Sequence, residues 1–159
     1  MSIMIEAPNT RILNQTLISH SENETRRIAA DFARLLHAGD VVVLRGELGA
    51  GKTVVVKAIA KALGYDGPVT SPSFTLLNVY YTPKFSIYHF DFYRIQSEAE
   101  AIGIGADEYI YGDGVCLIEW PEKVESLLPD HYYEFSIRIP DFTGDPDRRE
   151  IHIKEIRKK

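Results

Sequence analysis

The sequence predicts an α/β domain built on a mixed sheet, with a parallel core, antiparallel additions and helices on both faces. Three observations carry that expectation. An apolar run at 40–45, a glycine-rich loop at 46–53 and a helix-forming run at 54–63 follow one another directly. The first half of the chain alternates helical and strand-like patterns. The second half holds strand runs separated by short turns.

Taken in order, segment 10–19 alternates weakly and reads as an edge strand. Ser21-Glu22-Asn23-Glu24 is a capping box, in which the Ser21 side chain accepts from the amide three residues on and Glu24 reaches back. The helix it opens extends to about His37, with Ile28, Phe32, Leu35 and Leu36 on one face, and Gly39 ends it. The strand at 40–45 is apolar from Val41 to Leu44 and reads as buried, as a strand covered on both faces would be. The helix at 54–63 is stopped by Gly64. Segment 65–73, with Gly67, Pro68 and Pro72, is a loop. Runs 74–81 and 85–90 flank Thr82-Pro83-Lys84 and read as a hairpin. Ser97-x-x-Glu100 is a second capping-box pattern, opening a short helix that Gly103 and Gly105 interrupt. Segment 114–119 is a buried strand, and Pro121 starts a short helix. Runs 132–139 and 150–156 are the last two strands, joined by a polar loop at 140–149. No repeat, low-complexity stretch or linker divides the chain, so one domain over 1–159 is expected.

Gly46-Glu47-Leu48-Gly49-Ala50-Gly51-Lys52-Thr53 fits G-x-x-x-x-G-K-[ST], the phosphate-binding loop of P-loop NTPases. Strand, loop and helix stand in the order the motif needs. The first turn of a helix leaves backbone N–H groups unpaired and carries partial positive charge, which suits an anion. The glycines let the backbone wrap a phosphate without Cβ clashes. Lys52 is placed to reach the β- and γ-phosphates, and the Thr53 hydroxyl to ligate Mg2+. The bland alternative is a glycine-rich turn that binds nothing.

A nucleotide site also needs a carboxylate at the end of a neighbouring strand. Asp91 closes one mostly apolar run and Glu119 closes another. Strand-end acids in an open α/β sheet lie at the crevice where ligands bind. Either alone reads equally well as a surface acid; beside the phosphate loop the pair reads as metal- or water-orienting. Ser71-Pro72-Ser73-Phe74-Thr75 follows where GTPases carry a mobile switch, with Ser73 or Thr75 as the sensing hydroxyl, or it is a proline turn feeding a strand. Arg94 is a charge stabiliser in cis or a surface ion-pair partner. Trp120, beside Glu119, is the one tryptophan and on physics alone is packing. His89, inside an apolar run, reads as a core histidine or one supporting a ligand-binding neighbour.

The net charge of −5 argues against a protein that holds nucleic acid alone by bulk electrostatics. Segment 148–159 departs from this balance, with six basic residues against two acidic ones. It reads either as a solvated end or as a surface touching RNA or an acidic partner. One cysteine, Cys116, permits no intrachain disulfide, and no apolar stretch is long enough to span a bilayer. A cytoplasmic protein with no membrane association is the expectation.

These pieces together resemble one family. The segments are Gly-Glu-Leu-Gly-Ala-Gly-Lys-Thr at 46–53, Ser-Pro-Ser-Phe-Thr-Leu at 71–76, Tyr-His-Phe-Asp-Phe-Tyr-Arg at 88–94 and Ile-Glu-Trp-Pro-Glu at 118–122. They look like TsaE, also called YjeE, the bacterial ATPase of tRNA threonylcarbamoyladenosine (t6A) synthesis, over nearly the whole chain. The phosphate loop is shared by many ATPases; the other three segments are far more specific. The resemblance implies ATP and Mg2+ as cofactors and the TsaD–TsaB heterodimer as partner, with tRNA met only through that complex. TsaD performs the threonylcarbamoyl transfer, and ATP hydrolysis by the TsaE component is thought to reset the complex. It further implies that Lys52 and the loop residues Glu47, Leu48, Gly49, Ala50, Gly51 and Thr53 hold the nucleotide. Thr53 and Glu119 ligate Mg2+, Asp91 orients metal or water, and the Thr75 loop is a switch. Trp120 lies at the nucleotide or partner face, and Ser21 and Thr25 approach the adenine side.

Three other readings compete. A small-molecule kinase needs an acceptor site and commonly an arginine-bearing lid, and this chain has few arginines between Thr53 and its end segment. A GTPase needs an Asn-Lys-x-Asp specificity segment, which is missing. A nucleotide-dependent binding module without catalysis is opposed by Lys52, Thr53 and both acids.

Overall fold

The computed structural model describes residues 10–158. Lys159, one of the basic residues of the end segment, lies outside them. The chain forms one seven-stranded sheet: β1 (Thr16–Ser19), β2 (Val41–Arg45), β3 (Leu77–Tyr81), β4 (Ser86–Asp91), β5 (Val115–Glu119), β6 (His131–Arg138) and β7 (Arg149–Arg157). Their order across the sheet is β1-β7-β6-β2-β5-β4-β3. β6, β2, β5 and β4 are mutually parallel, while β7, β1 and β3 add antiparallel edges. The expected mixed sheet with a parallel core is therefore the observed one.

Side chains alternate across a strand, and the two faces are covered by different helices. Val42, Leu44, Val115 and Leu117 face α1 (Glu22–Ala33) and α2 (Lys52–Ala62). Phe32 of α1 anchors this layer, with its ring 5.4 Å from Tyr133 and 5.6 Å from Phe135. Val41, Val43, Cys116 and Ile118 face the other way, onto α3 (Glu98–Gly103), α4 (Ala106–Ile110) and the 3-10 segment Pro121–Leu127. Burial on both faces explains why β2 and β5 read as continuous apolar runs.

Several boundaries differ from the sequence expectation. The leading strand is shorter: Thr10–Ile12 is a 3-10 turn, and Asn14 at φ 62° turns the chain into β1. α1 ends at Ala33, and Leu35 and Leu36 reach the core from tight turns bonded back to Phe32 and Ala33. Helical spacing alone cannot distinguish those turns from a further helical turn. α2 begins at Lys52, inside the motif, so the first-turn amides belong to the loop's own residues. Residues 74–76 do not join β3: Leu76 N–H closes a turn onto the Pro72 carbonyl at 2.8 Å, and Leu76 sits at φ 68°. The second capping box forms by half, because Ser97 makes no side-chain cap while Glu100 accepts from the Gln96 amide.

Candidate functional site

The phosphate loop leaves the end of β2, at the centre of the parallel strands, and enters α2. Two of its glycines are required by geometry. A Cβ at Gly46 would stand 2.6 Å from the Ile137 carbonyl oxygen, a distance real Cβ atoms do not show. Gly51 caps α2 at φ 116°, where L side chains are strained. The rim of the loop is open to solvent at Glu47, Leu48 and Gly49, while Ala50 is buried beneath it.

Two clefts share this loop. The first, of about 390 Å³, is lined among others by Leu48, Lys52, Thr53, Ser71, Asp91 and Glu119, with Ser73, Tyr93 and Trp120 at its mouth. The parallel register explains the convergence: Asp91 pairs with Glu119, and Glu119 pairs with Leu44, two residues before Gly46. Both acids are buried, at 4% and 3% exposure, so neither is an ordinary surface carboxylate. Their surroundings differ. Asp91 accepts from the Ser71 hydroxyl at 2.9 Å and from the Tyr93 amide at 2.9 Å, one through each oxygen. Glu119 accepts from His89 through Oε2 at 2.7 Å, and its Oε1 has no hydrogen-bond partner among the described residues. Glu119 is thus the acid with an uncommitted oxygen, and Asp91 the one already tied to the 70–75 loop.

Lys52 is folded inward. Its ammonium donates to the Gly46 carbonyl and lies 3.6 Å over the centre of the Trp120 ring. Burial holds its pKa below the usual lysine value, opposed by the charges of Glu119, Asp91 and Glu122. Trp120 reaches this position from a left-handed backbone at φ 55°, a conformation that costs a non-glycine residue of order 1 kcal/mol or more. Tyr93 packs on its ring at 4.9 Å. The segment after Trp120 is fixed from below by Arg45, which meets Glu125 at 2.6 Å, Glu134 at 3.2 Å and Glu122 at 3.5 Å.

The second cleft, of about 320 Å³, lies across the loop and is lined by Ser21, Thr25, Gly49, Gly51, Asp147 and Arg149, among others. Ser21 caps α1 by accepting from the Glu24 amide at 3.1 Å, and Glu24 reaches back to the His20 amide. Thr25 is buried one turn on, sharing a 2.7 Å hydroxyl contact with Ser19. Arg149 of β7 donates to the Ala50 carbonyl at 2.8 Å and so braces the phosphate loop from this side.

The structure therefore brings Lys52, Thr53, Asp91, Glu119, Ser73 and Trp120 to one cleft, and Ser21 and Thr25 to its neighbour. It does not bring Thr75 or Arg94 there. Thr75 is exposed in the turn beyond the cleft, and the Arg94 guanidinium stacks 4.4 Å over the exposed Phe74 ring. A cis charge stabiliser is thus not supplied by Arg94 in this arrangement; its place in the sequence, three residues after Asp91, carries it past the strand end. Ser71, Tyr93 and Arg149 were not singled out by sequence reasoning. Ser71 had a usable signal, as a hydroxyl in the loop after the phosphate-loop helix; Arg149 had none, since only β7's pairing places it by Ala50.

Known proteins resemble the chain over most of its length. The family model described as threonylcarbamoyl adenosine biosynthesis protein TsaE matches residues 19–151. A Treponema pallidum protein named tRNA threonylcarbamoyladenosine biosynthesis protein TsaE is 47% identical over 122 residues, covering 77% of this chain and 90% of its own. The Bacillus subtilis protein of the same name is 42% identical over 133 residues, covering 84% and 80%. A crystal structure of Bacillus subtilis YdiB superposes with a TM-score of 0.72 at 35% identity, over 89% of this chain and 84% of that one. With the phosphate loop and the lining of both clefts inside the segment that the family model spans, the protein belongs to the TsaE family.

Proposed function

We propose that this chain is an Mg2+-dependent ATPase that serves tRNA t6A modification as an accessory of the TsaD–TsaB pair, in the cytoplasm. The observation that carries the reading is the convergence of Lys52, Thr53 and two buried strand-end acids on one cleft beside a phosphate-binding loop. The names of its relatives support the pathway; the site's chemistry supports the activity. Among the described residues no helix is long and apolar enough to cross a membrane.

The residues present fit ATP and Mg2+. Gly49 takes a left-handed φ of 82° that favours glycine, and no atom within 4 Å crowds its outer side, so the loop is open to a phosphate there. Lys52, held on the Gly46 carbonyl and the Trp120 face, would reach the β- and γ-phosphates, whose negative charge would favour its ammonium form. The Thr53 hydroxyl and Glu119 Oε1 would hold Mg2+, which would neutralise phosphate charge when bound. Asp91, held by Ser71 and Tyr93, orients the water that attacks or the ion's own waters. Ser73 at the mouth and Ser71 on Asp91 make the 70–75 loop the segment that senses the nucleotide. Ser21 and Thr25 form the side of the nucleoside. With Arg94 stacked on Phe74, Lys52 is the one lysine or arginine lining this cleft among the described residues, and a slow intrinsic rate raised by partners follows.

The test is nucleotide binding and hydrolysis by the purified chain. ATP with Mg2+ should bind more tightly than GTP and be hydrolysed slowly, and Lys52→Ala should abolish both. Tighter GTP binding, or phosphate transfer to a small acceptor faster than hydrolysis, would replace this reading with a GTPase or a kinase.

A further inference from the structure

The interior side of Glu119 is built as deliberately as its cleft side. His89 is fully buried, with Nε2 2.7 Å from Glu119 Oε2 and Nδ1 2.9 Å from the Tyr80 hydroxyl. An ionised carboxylate only accepts, so Nε2 carries the proton, Nδ1 accepts, and Tyr80 donates. Burial, the largest cause, pushes the Tyr80 hydroxyl above the usual phenol pKa, so it remains a donor. The Tyr80 ring is held in turn by stacking on Tyr65 at 4.7 Å. A tyrosine and a histidine in this order leave one tautomer and one ring orientation for His89, and so one orientation for the carboxylate it grips.

The same column touches the loop. The Tyr80 oxygen, its one proton given to Nδ1, lies 3.4 Å from the Thr70 carbonyl, which accepts from the Asn78 amide at 3.0 Å. The next residue, Ser71, donates to Asp91. The Thr70–Ser71 peptide therefore lies between the support of Glu119 and the support of Asp91. Strand alternation makes this possible, because Ile87, His89 and Asp91 share the face of β4 that meets α2.

We propose that His89 and Tyr80 are positioning residues for Glu119: they hold Oε2 so that Oε1 faces the cleft. This rests on reading the cleft as an Mg2+-ATP site. Outer hydrogen-bond partners of metal ligands commonly contribute 10- to 100-fold to metal affinity. The role differs from plain packing, because it acts on Mg2+ affinity and not on nucleotide affinity in the absence of metal.

The experiment titrates Mg2+ into the full chain at fixed AMP-PNP, followed by Trp120 emission, alongside AMP-PNP binding in EDTA. His89→Ala should weaken Mg2+ affinity about 10- to 100-fold and leave metal-free binding unchanged. His89→Gln, whose amide can donate to the same oxygen, should recover most of the loss. Tyr80→Phe keeps the ring stack and should fall between wild type and His89→Ala. Unchanged Mg2+ affinity in all three, an equal loss with and without metal, or a glutamine no better than alanine would each overturn the proposal. Should His89→Ala fail to fold, Tyr80→Phe alone decides. A wild-type chain whose AMP-PNP binding ignores Mg2+ would remove the site reading itself, and the proposal with it.

Discussion

Lys52 rests against the ring of the one tryptophan, 3.6 Å from its centre, which makes the nucleotide's arrival visible. Drawing the ammonium toward phosphates changes the field on the indole, so ATP should shift Trp120 emission; Lys52→Ala should abolish the response and lower affinity or turnover at least ~100-fold. A full emission change in that variant would separate Trp120 from the phosphate site. Glu119→Ala should weaken nucleotide binding in Mg2+ far more than in EDTA, because its free oxygen is offered to the metal; equal losses would remove it from the metal shell. Cys116 is the chemical opposite of a site residue. Burial alone pushes its thiol to about 12, and its Sγ–H points to the Tyr109 carbonyl at 3.1 Å. Because the thiolate is the reactive form, Cys116 should resist a disulfide reagent such as DTNB throughout the folded protein's neutral range and react only on unfolding. Rapid native-state labelling would contradict that burial.

At the scale of elements, the β2–loop–α2 unit depends on two close approaches. Gly46→Ala would press a Cβ to 2.6 Å from the Ile137 carbonyl, so β6 or the loop must move. Nucleotide affinity should fall by about tenfold or more while far-ultraviolet circular dichroism stays native, since the sheet keeps its core; unaltered affinity would show that the loop tolerates displacement. Phe32→Ala removes the ring between α1 and β6 and should cost about 3–5 kcal/mol in denaturant unfolding. Elements with strong local signals were legible in the sequence: the Ser21 cap, the β2–loop–α2 order, and strand ends at Asp91 and Glu119. What was not legible depends on contacts distant in sequence. Arg149 lies 99 residues from the carbonyl it bonds, and only antiparallel pairing of β7 places it there. The His89 contact to Glu119 needs β4 and β5 side by side, a pairing that residue spacing does not reveal. Thr75 and Arg94 failed to reach the cleft because Leu76 turns at positive φ and because the chain passes the strand end before Arg94.

Across the whole molecule, the parallel strands bring the phosphate loop, Asp91 and Glu119 to one edge of the sheet, while β7 lines the second cleft through Arg149. With Arg94 stacked on Phe74, Lys52 is the one lysine or arginine lining the first cleft among the described residues, fewer cations than the proposed phosphoryl transfer calls for. A partner that completes the site is the simplest remedy. The net charge of −5 gives the chain little means of gripping RNA by itself. The chain alone should therefore show no tight binding to tRNA at physiological salt, measured by filter retention; strong, salt-sensitive binding would move the basic 148–159 segment into the mechanism. The most direct measurement of the account is steady-state ATP hydrolysis with and without the TsaD–TsaB pair. Slow turnover that rises on adding the pair, and disappears in Lys52→Ala, is the predicted result. Fast turnover indifferent to the partners would contradict it.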